Sequence, residues 1–100
     1  MVSFKQAKDM FRMQREAKRV KKELSNIHVE AEASSGMGSV RVVVAADQEI
    51  VSIQIDPSVP QDKIGELLKD ALNRAMKKVQ IISAEKMQAV MGEMGLPTGQ

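Results

Sequence analysis

The sequence predicts an α+β fold with the element order α-β-β-β-α, in which two long helices flank a three-stranded antiparallel meander. Three observations lead to this prediction. Residues 3–25 repeat basic and apolar side chains at intervals of three and four, as a helix requires. Residues 27–55 alternate polar and apolar side chains, as strands with one solvated face do. Beyond Pro60 the helical spacing returns and continues to Met94.

The first helix carries two opposed stripes. Its basic stripe, spaced 3, 4, 3, 4 and 3 residues apart, consists of Lys5, Lys8, Arg12, Arg15, Arg19 and Lys22. Its apolar stripe keeps this rhythm two residues out of step and consists of Met10, Met13, Ala17, Val20, Leu24 and Ile27. Two residues correspond to roughly 200° of helical rotation, so the stripes lie on nearly opposite sides. We expect a helix that packs on protein with one side and presents cations on the other.

The acidic residues of this helix form a third stripe beside the apolar one. Asp9, Glu16 and Glu23 are seven residues apart. Side chains three and four positions apart meet on a helix surface, so these carboxylates are placed to pair with neighbouring bases such as Arg12, Arg19 and Lys22.

Three short strands follow the helix. Residues 28–34 and 50–55 alternate, and residues 40–46 are rich in β-branched valine. The connections, residues 34–39 and 46–49, are short, so neighbouring strands are predicted to be antiparallel.

The second helix begins after a segment that stops the sheet. Pro57 and Pro60 cannot extend a central ladder. Ser58, followed three residues later by Gln61, predicts a capping box, with Pro60 in the first helical turn. Gly95 and Pro97 end the helix. The predicted single domain therefore comprises a basic amphipathic helix over 1–26, a sheet over 27–56, a long amphipathic helix over 58–94 and a mobile tail over 95–100.

The helices are too long for the sheet. At 1.5 Å per residue they span about 33 and 50 Å, whereas a strand of seven residues spans only ~23 Å. The apolar stripes must therefore overhang the sheet, where the two helices can cover each other only in part. A second subunit is the expected source of the remaining cover.

Composition and chain length exclude several classes of protein. The chain of 100 residues has two aromatic residues and no cysteine, which excludes disulfides and thiolate metal sites. No apolar run approaches the ~18 residues of a membrane span. The N-terminus lacks the apolar block of a signal peptide, so we expect a cytoplasmic protein without a membrane partner.

Catalytic signals are weak. His28 has no cysteine and no second histidine to complete a metal site. Gly36-Met37-Gly38 precedes a strand rather than a helix, so a turn is favoured over a phosphate loop. Glu30 and Glu32 share a strand face, but alternating glutamates usually form a solvated face. We therefore expect that the protein is not an enzyme and binds no metal, no cofactor and no small-molecule substrate.

The charge distribution points to a polyanionic partner. Residues 1–25 hold eight basic and three acidic residues, for a balance of +5, whereas the rest of the chain holds seven and ten, for −3. Arginine, half of the basic stripe, suits phosphate oxygens. The few aromatic residues disfavour single-stranded nucleic acid, which is bound largely by stacking. The predicted contacts to double-stranded DNA are Lys5, Lys8, Arg12, Arg15, Lys18, Arg19, Lys21 and Lys22.

The chain resembles a known family over essentially its whole length. The resemblance is carried by the charged N-terminal helix, by Ala33-Ser34-Ser35-Gly36-Met37-Gly38-Ser39-Val40-Arg41-Val42, by Ile53-Gln54-Ile55-Asp56-Pro57-Ser58, and by Asn73-Arg74-Ala75 in the long helix. The chain is similar to members of the YbaB/EbfC family of nucleoid-associated proteins. Two segments depart from that pattern: Ala46-Asp47-Gln48-Glu49 replaces an Asn-Gly-type hairpin turn, and Val59-Pro60 replaces a leucine-rich segment.

The resemblance implies a homodimer whose sheets join and whose helices project like tweezers, bound to DNA in the bacterial nucleoid. The sequence also leaves open a protein-interaction module, in which the heptad stripe of the first helix recruits another helix. A small enzyme is a third alternative that no residue supports.

Overall fold

The computed structural model describes residues 4–93 and Gly95, without the side chains of Phe4 and Lys5. Its elements are α1 (Phe4–Ser25), β1 (His28–Ser35), β2 (Gly38–Ala45), β3 (Ile50–Ile55) and α2 (Gln61–Glu93). The strands form one antiparallel sheet in the order β1-β2-β3, so the predicted fold class is confirmed. The predictions made for Ser3, Met94 and the tail, apart from Gly95, lie outside the described residues.

One face of the sheet forms the core with α2. Val40, Val42 and Val44 of β2 are fully buried, and their partners on β1 include Ala31 and Ala33, which are also buried. The opposing stripe of α2 recurs every fourth residue: Leu67, Ala71, Ala75 and Val79. The small alanines on both layers allow the helix to approach the sheet closely, which leaves α2 centred over β1 and β2.

The predicted capping box is wrong. The Ser58 hydroxyl donates to the Met37 carbonyl (2.5 Å) in the β1–β2 turn and contacts the Asp56 carboxylate (2.7 Å). It is therefore engaged away from the start of α2, where the Lys63 N–H instead bonds to the Pro60 carbonyl (2.9 Å). Pro60 lies immediately before the helix rather than in its first turn.

The 56–59 turn and the β1–β2 turn are packed against each other. A Cβ atom on Gly38 would come within 2.7 Å of the Ser58 hydroxyl and 2.9 Å of a Val59 methyl group. The glycine therefore permits a close approach that also carries the Ser58–Met37 hydrogen bond.

Helix α1 runs antiparallel to the last turns of α2. Arg19 contacts Glu93, whereas Glu23, one turn later on α1, contacts Lys86, which is earlier on α2. Because α2 ends beside Arg19, the first turns of α1 project beyond it. The domain measures 62 × 24 × 22 Å, and its radius of gyration of 18.9 Å exceeds the value of about 13 Å for a compact chain of this length. Residues 4–15 of α1 thus form a projecting arm.

Candidate nucleic-acid interface

Helix α1 presents a row of cations that have no acidic partner among the described residues. Among the described side chains, those of Lys8, Arg12, Arg15, Lys18, Lys21 and Lys22 are exposed and make no ion pair. The Lys5 side chain lies outside the described residues. Cations that are not bound to carboxylates can neutralise phosphate groups, and so release the counterions condensed on DNA, without first breaking a protein contact.

Arg19 differs from the other cations of α1. Its guanidinium bonds to Glu16 (2.5 Å), Glu23 (3.5 Å) and Glu93 (3.0 Å). The hydrogen bonds that it donates to Glu16 and Glu93 raise the pKa of Arg19 above its ordinary value. The predicted pairing of Arg19 with the acidic stripe of α1 is confirmed, and the contact with Glu93 adds a link to α2. The pairing predicted for Arg12 and Lys22 is wrong, because neither makes an ion pair among the described side chains. The phosphate-binding role of Arg19 remains a prediction.

A second ion pair joins the two helices. Lys86 of α2 contacts Glu23 of α1, and its ammonium group lowers the pKa of the Glu23 carboxyl below the ordinary 4.5 through a hydrogen bond and the attraction of opposite charges. Glu23 thus receives cations from both helices. Together with Val20 of α1 and Val90 of α2, which are 4% and 7% exposed, these pairs fix the base of the arm.

The base of the arm carries a shallow basic depression. Lys18, Lys21 and Lys22 line it together with Ser25 and with Asp47 from the β2–β3 turn, and its volume is about 300 Å³. Three cations against one carboxylate leave this depression positively charged, as an oxygen-rich anion requires. It extends the basic surface of α1 from the arm toward the sheet.

An apolar groove separates α1 from the end of α2. It has a volume of about 460 Å³ and a polar end near Lys21, Asp47 and Gln48. Its walls are Met13, Ala17, Val20, Leu24, Met87, Val90 and Met91. The predicted apolar stripe is therefore only partly covered: Val20 is buried, but Met10 and Met13 remain 57% and 52% exposed.

Strand β3 presents an uncovered apolar face. Ile53 and Ile55 pair with the buried Val42 and Val40, so they point to the face of the sheet on which α2 lies. They are nevertheless 43% and 41% exposed, because α2 covers β1 and β2 instead. Sequence alternation predicted this strand but not the exposure of its apolar side chains.

On the other side of α2, two cations reach the edge of β1. Arg74 donates to the Glu32 carbonyl (2.6 Å), and Lys78 donates to the Glu30 carbonyl (2.8 Å). Neither residue is among those for which the sequence predicts a role. The four-residue spacing that places both on one side of α2 was visible, but nothing in the sequence indicated which strand lies below them.

The residues considered for catalysis are dispersed on exposed positions. His28, Glu30 and Glu32 are exposed on β1, and Gly36 and Met37 form the turn between β1 and β2. Across the described part of the chain, no group of three or more His, Cys, Asp or Glu side chains is placed to hold a metal ion. Neither described helix is long and apolar enough to cross a bilayer.

The fold and these surfaces define a small α+β protein with a projecting basic helix and a half-covered antiparallel sheet. Comparison with known proteins refines this class. The chain belongs to the YbaB/EbfC DNA-binding family, whose family model matches residues 3–94.

Relatives agree with this assignment, and a solved structure shares the fold. A nucleoid-associated protein of Nitrobacter hamburgensis is 43% identical over 76 residues, which cover 72% of each chain. A nucleoid-associated protein of Bradyrhizobium sp. (strain ORS 278) is 38% identical over 96 residues, 92% of this chain and 89% of that protein. The crystal structure of the uncharacterized protein HP0035 from Helicobacter pylori has a TM-score of 0.68 at 23% identity and covers 94% of this chain and 98% of that chain, a likeness of fold.

Proposed function

We propose that this protein is a non-enzymatic, nucleoid-associated DNA-binding protein that works in the bacterial cytoplasm. It binds double-stranded DNA as a homodimer, mainly through phosphate contacts. The observation that carries the proposal is the row of exposed, unpaired cations on α1, supported by membership of a DNA-binding family.

The spacing of the row suits a phosphate backbone. From Lys8 to Lys21 successive members are three or four residues apart, and Lys22 follows Lys21 directly. A step of three or four residues is about 5 Å along a helix. Lys8, Arg12 and Arg15 lie on the arm, and Lys18, Lys21 and Lys22 continue toward the sheet. Such contacts hold a protein on the duplex and carry little sequence information. We therefore propose DNA binding with weak base preference, with Lys5 and Arg19 as further members of the predicted set.

The homodimer is supported by the apolar face of β3. This edge strand has the sequence Ile-Val-Ser-Ile-Gln-Ile and carries no charge. A second β3 laid antiparallel beside it would place no like charges opposite each other, and its own helix layer would cover the isoleucines. The two sheets would then join and the two arms would project from one assembly, so two basic rows could act on one duplex.

The homodimer can be tested with one charge at the exposed strand. Ile53→Glu places a carboxylate on the proposed interface, where two copies would bring like charges together. Ile81→Glu is the matched control, because Ile81 is 61% exposed and lies on α2. We expect Ile53→Glu to lower the mass measured by light scattering to that of one chain and Ile81→Glu to keep the wild-type mass. A dimer that withstands Ile53→Glu would argue against this interface.

The DNA-binding proposal is tested by a salt titration on protein of measured oligomeric state. Six phosphate contacts from one subunit predict a slope of log K against log salt of about −5. Lys8→Gln/Arg12→Gln/Arg15→Gln removes three cations from each arm, and we expect the slope to flatten by about 3 for each subunit in contact with the duplex. Lys63→Gln/Lys69→Gln/Lys77→Gln removes the same charge from exposed positions on α2 and should keep the wild-type slope. Equal losses in both variants would show that net charge, rather than the arm, governs binding.

The groove between α1 and α2 favours a second function, a protein-interaction module. Exposed methionines at its mouth are adaptable contacts for an apolar helix. In this alternative the basic row docks an acidic partner or keeps the assembly soluble. Loss of partner capture in Met13→Glu, with no binding of duplex DNA at near-physiological salt by the wild-type protein, would favour it.

A further inference from the structure

β1 is an edge strand whose outward hydrogen-bonding groups can be assigned. The Ala46 N–H donates to the Ile27 carbonyl (2.8 Å), and β1 pairs with β2 in continuous antiparallel register from there. In such a ladder, alternate residues point both backbone groups toward the partner strand. Val29, Ala31 and Ala33 therefore bond to β2, whereas Glu30 and Glu32 direct their N–H and carbonyl groups away from the sheet.

Arg74 and Lys78 occupy these outward carbonyls. They are four residues apart on α2, about 6 Å along a helix, and their acceptors are two residues apart on β1, about 7 Å along a strand. The Arg74 guanidinium lies 2.6 Å from the Glu32 oxygen, and the Lys78 ammonium lies 2.8 Å from the Glu30 oxygen. The spacing of the two donors on α2 thus nearly matches the spacing of the two acceptors on β1. Helix α2 places two charged groups along the edge of β1.

The opposite edge of the sheet is different. β3 carries no charged residue, and within the described part of the chain no side chain donates to its backbone carbonyls. Proteins commonly protect a sheet edge from further strand pairing with charged side chains. One edge of this sheet is protected in that way and the other is open.

We propose that Arg74 and Lys78 close the β1 edge to strand pairing, so that association of sheets is confined to β3 and stops at two chains. An incoming strand would have to displace both cations from their carbonyl acceptors and leave them desolvated beside the new ladder. This inference rests on the homodimer proposed above. It explains why a sheet with two edges does not add further chains beyond the dimer.

The test removes both cations and measures assembly. Arg74→Ala/Lys78→Ala is compared with Lys69→Ala/Lys77→Ala, which loses the same charge from exposed positions of α2 that make no ion pair or hydrogen bond among the described residues. We expect the first variant to gain mass with concentration in sedimentation, by about twofold or more as dimers pair through β1. The control should keep the wild-type mass. Equal masses for the first variant and the wild-type protein would overturn the inference.

Two further variants separate edge pairing from a loss of folding. Arg74→Met/Lys78→Met keeps the apolar stems over the sheet and removes the donors, so it should gain mass in the same way. Adding Glu32→Pro to it removes an outward N–H that takes no part in the β1–β2 ladder, and should restore the wild-type mass. Persistent large species in this last variant would show aggregation by another route and count against the inference. If the wild-type protein is a monomer, the proposed homodimer is refuted. A gain of mass by the variants relative to that monomer would still show that Arg74 and Lys78 protect the edge of β1 from pairing.

Discussion

The Arg19 guanidinium lies 3.0 Å from the Glu93 carboxylate (Nη2 to Oε2) and so joins the middle of α1 to the last turn of α2. The same guanidinium bonds to Glu16 and Glu23. Among the cations of α1 whose side chains are described, Arg19 alone is surrounded by carboxylates. A phosphate group would have to displace these carboxylates, so Arg19 is better placed to orient the arm than to release counterions.

We therefore predict that Arg15→Gln and Arg19→Gln differ in their salt dependence. Arg15 is exposed and makes no ion pair among the described residues. Its replacement should reduce the slope of log K against log salt by about 1 for each subunit in contact with the duplex. Arg19→Gln should change the slope by less, because a guanidinium held by carboxylates is less available to neutralise a phosphate and to release the counterions condensed on it.

The two variants should also differ in the free protein. Loss of Arg19 removes a link between α1 and α2 and should speed amide hydrogen exchange in α1, whereas loss of Arg15 should not. Identical slopes and identical exchange in the two variants would contradict a separate role for Arg19.

We predict that Gly38→Ala destabilises the domain. The added methyl group would meet the Ser58 hydroxyl and a Val59 methyl group at distances shorter than van der Waals contact. Overpacking of this kind costs about 1–3 kcal/mol, measured as the free energy of unfolding in urea. Gly36→Ala is the control from the same turn, since a methyl group added there would meet no atom within 4 Å. A cost shared equally by both variants would point to the turn itself rather than to its contact with residues 56–59.

The β2–β3 turn offers a stabilising substitution. Gln48 has a φ of 75°, in the left-handed region, where a residue other than glycine is strained by about 1–2 kcal/mol. Gln48→Gly relieves this strain at a smaller entropic cost and should raise the unfolding free energy by up to about 1 kcal/mol. Gln54→Gly, in β3, is the comparison and should lower it. A destabilised Gln48→Gly variant would indicate that the Gln48 side chain contributes more than its backbone strain costs.

Much of the fold could be predicted because its signals are local. The helical period ends near Ile27, where α1 ends, and the valine-rich run of residues 40–46 forms the central strand. Periodicity depends only on neighbouring residues and on which face is buried. The order of elements followed from these changes in period.

The contacts that could not be predicted join residues far apart in the chain. Ser58 has the spacing of a helix cap, but its hydroxyl bonds to Met37, 21 residues away. The sequence pattern gives Arg74 the character of an ordinary solvated residue. Its hydrogen bond to the Glu32 carbonyl, 42 residues away, depends on how α2 packs over β1. The basic row itself was visible in the sequence, but the engagement of Arg19 by Glu93 depended on where α2 ends.

We predict that two carboxylates with lowered pKa values make the domain less stable in acid. Lys86 lowers the pKa of Glu23, and the backbone N–H and hydroxyl of Ser58 lower the pKa of Asp56. Because both folded-state pKa values lie below the ordinary values of 4.5 and 3.8, the unfolded chain binds these protons first as the pH falls. Their stabilising contribution is therefore fully present above the ordinary values and is lost as the pH falls through the folded-state values.

Unfolding in urea at a series of pH values measures this loss. Glu23→Gln and Lys86→Met each remove the Lys86–Glu23 ion pair between α1 and α2. Both should therefore lower the free energy of unfolding at neutral pH and make it decline less steeply in acid. Lys69→Met, which removes an exposed cation of α2 without an ion pair among the described residues, should keep the wild-type decline. If Lys86→Met declines in acid as steeply as the wild-type protein, the Lys86–Glu23 pair is not a source of the acid sensitivity, and Asp56 becomes the carboxylate to test through Ser58→Ala.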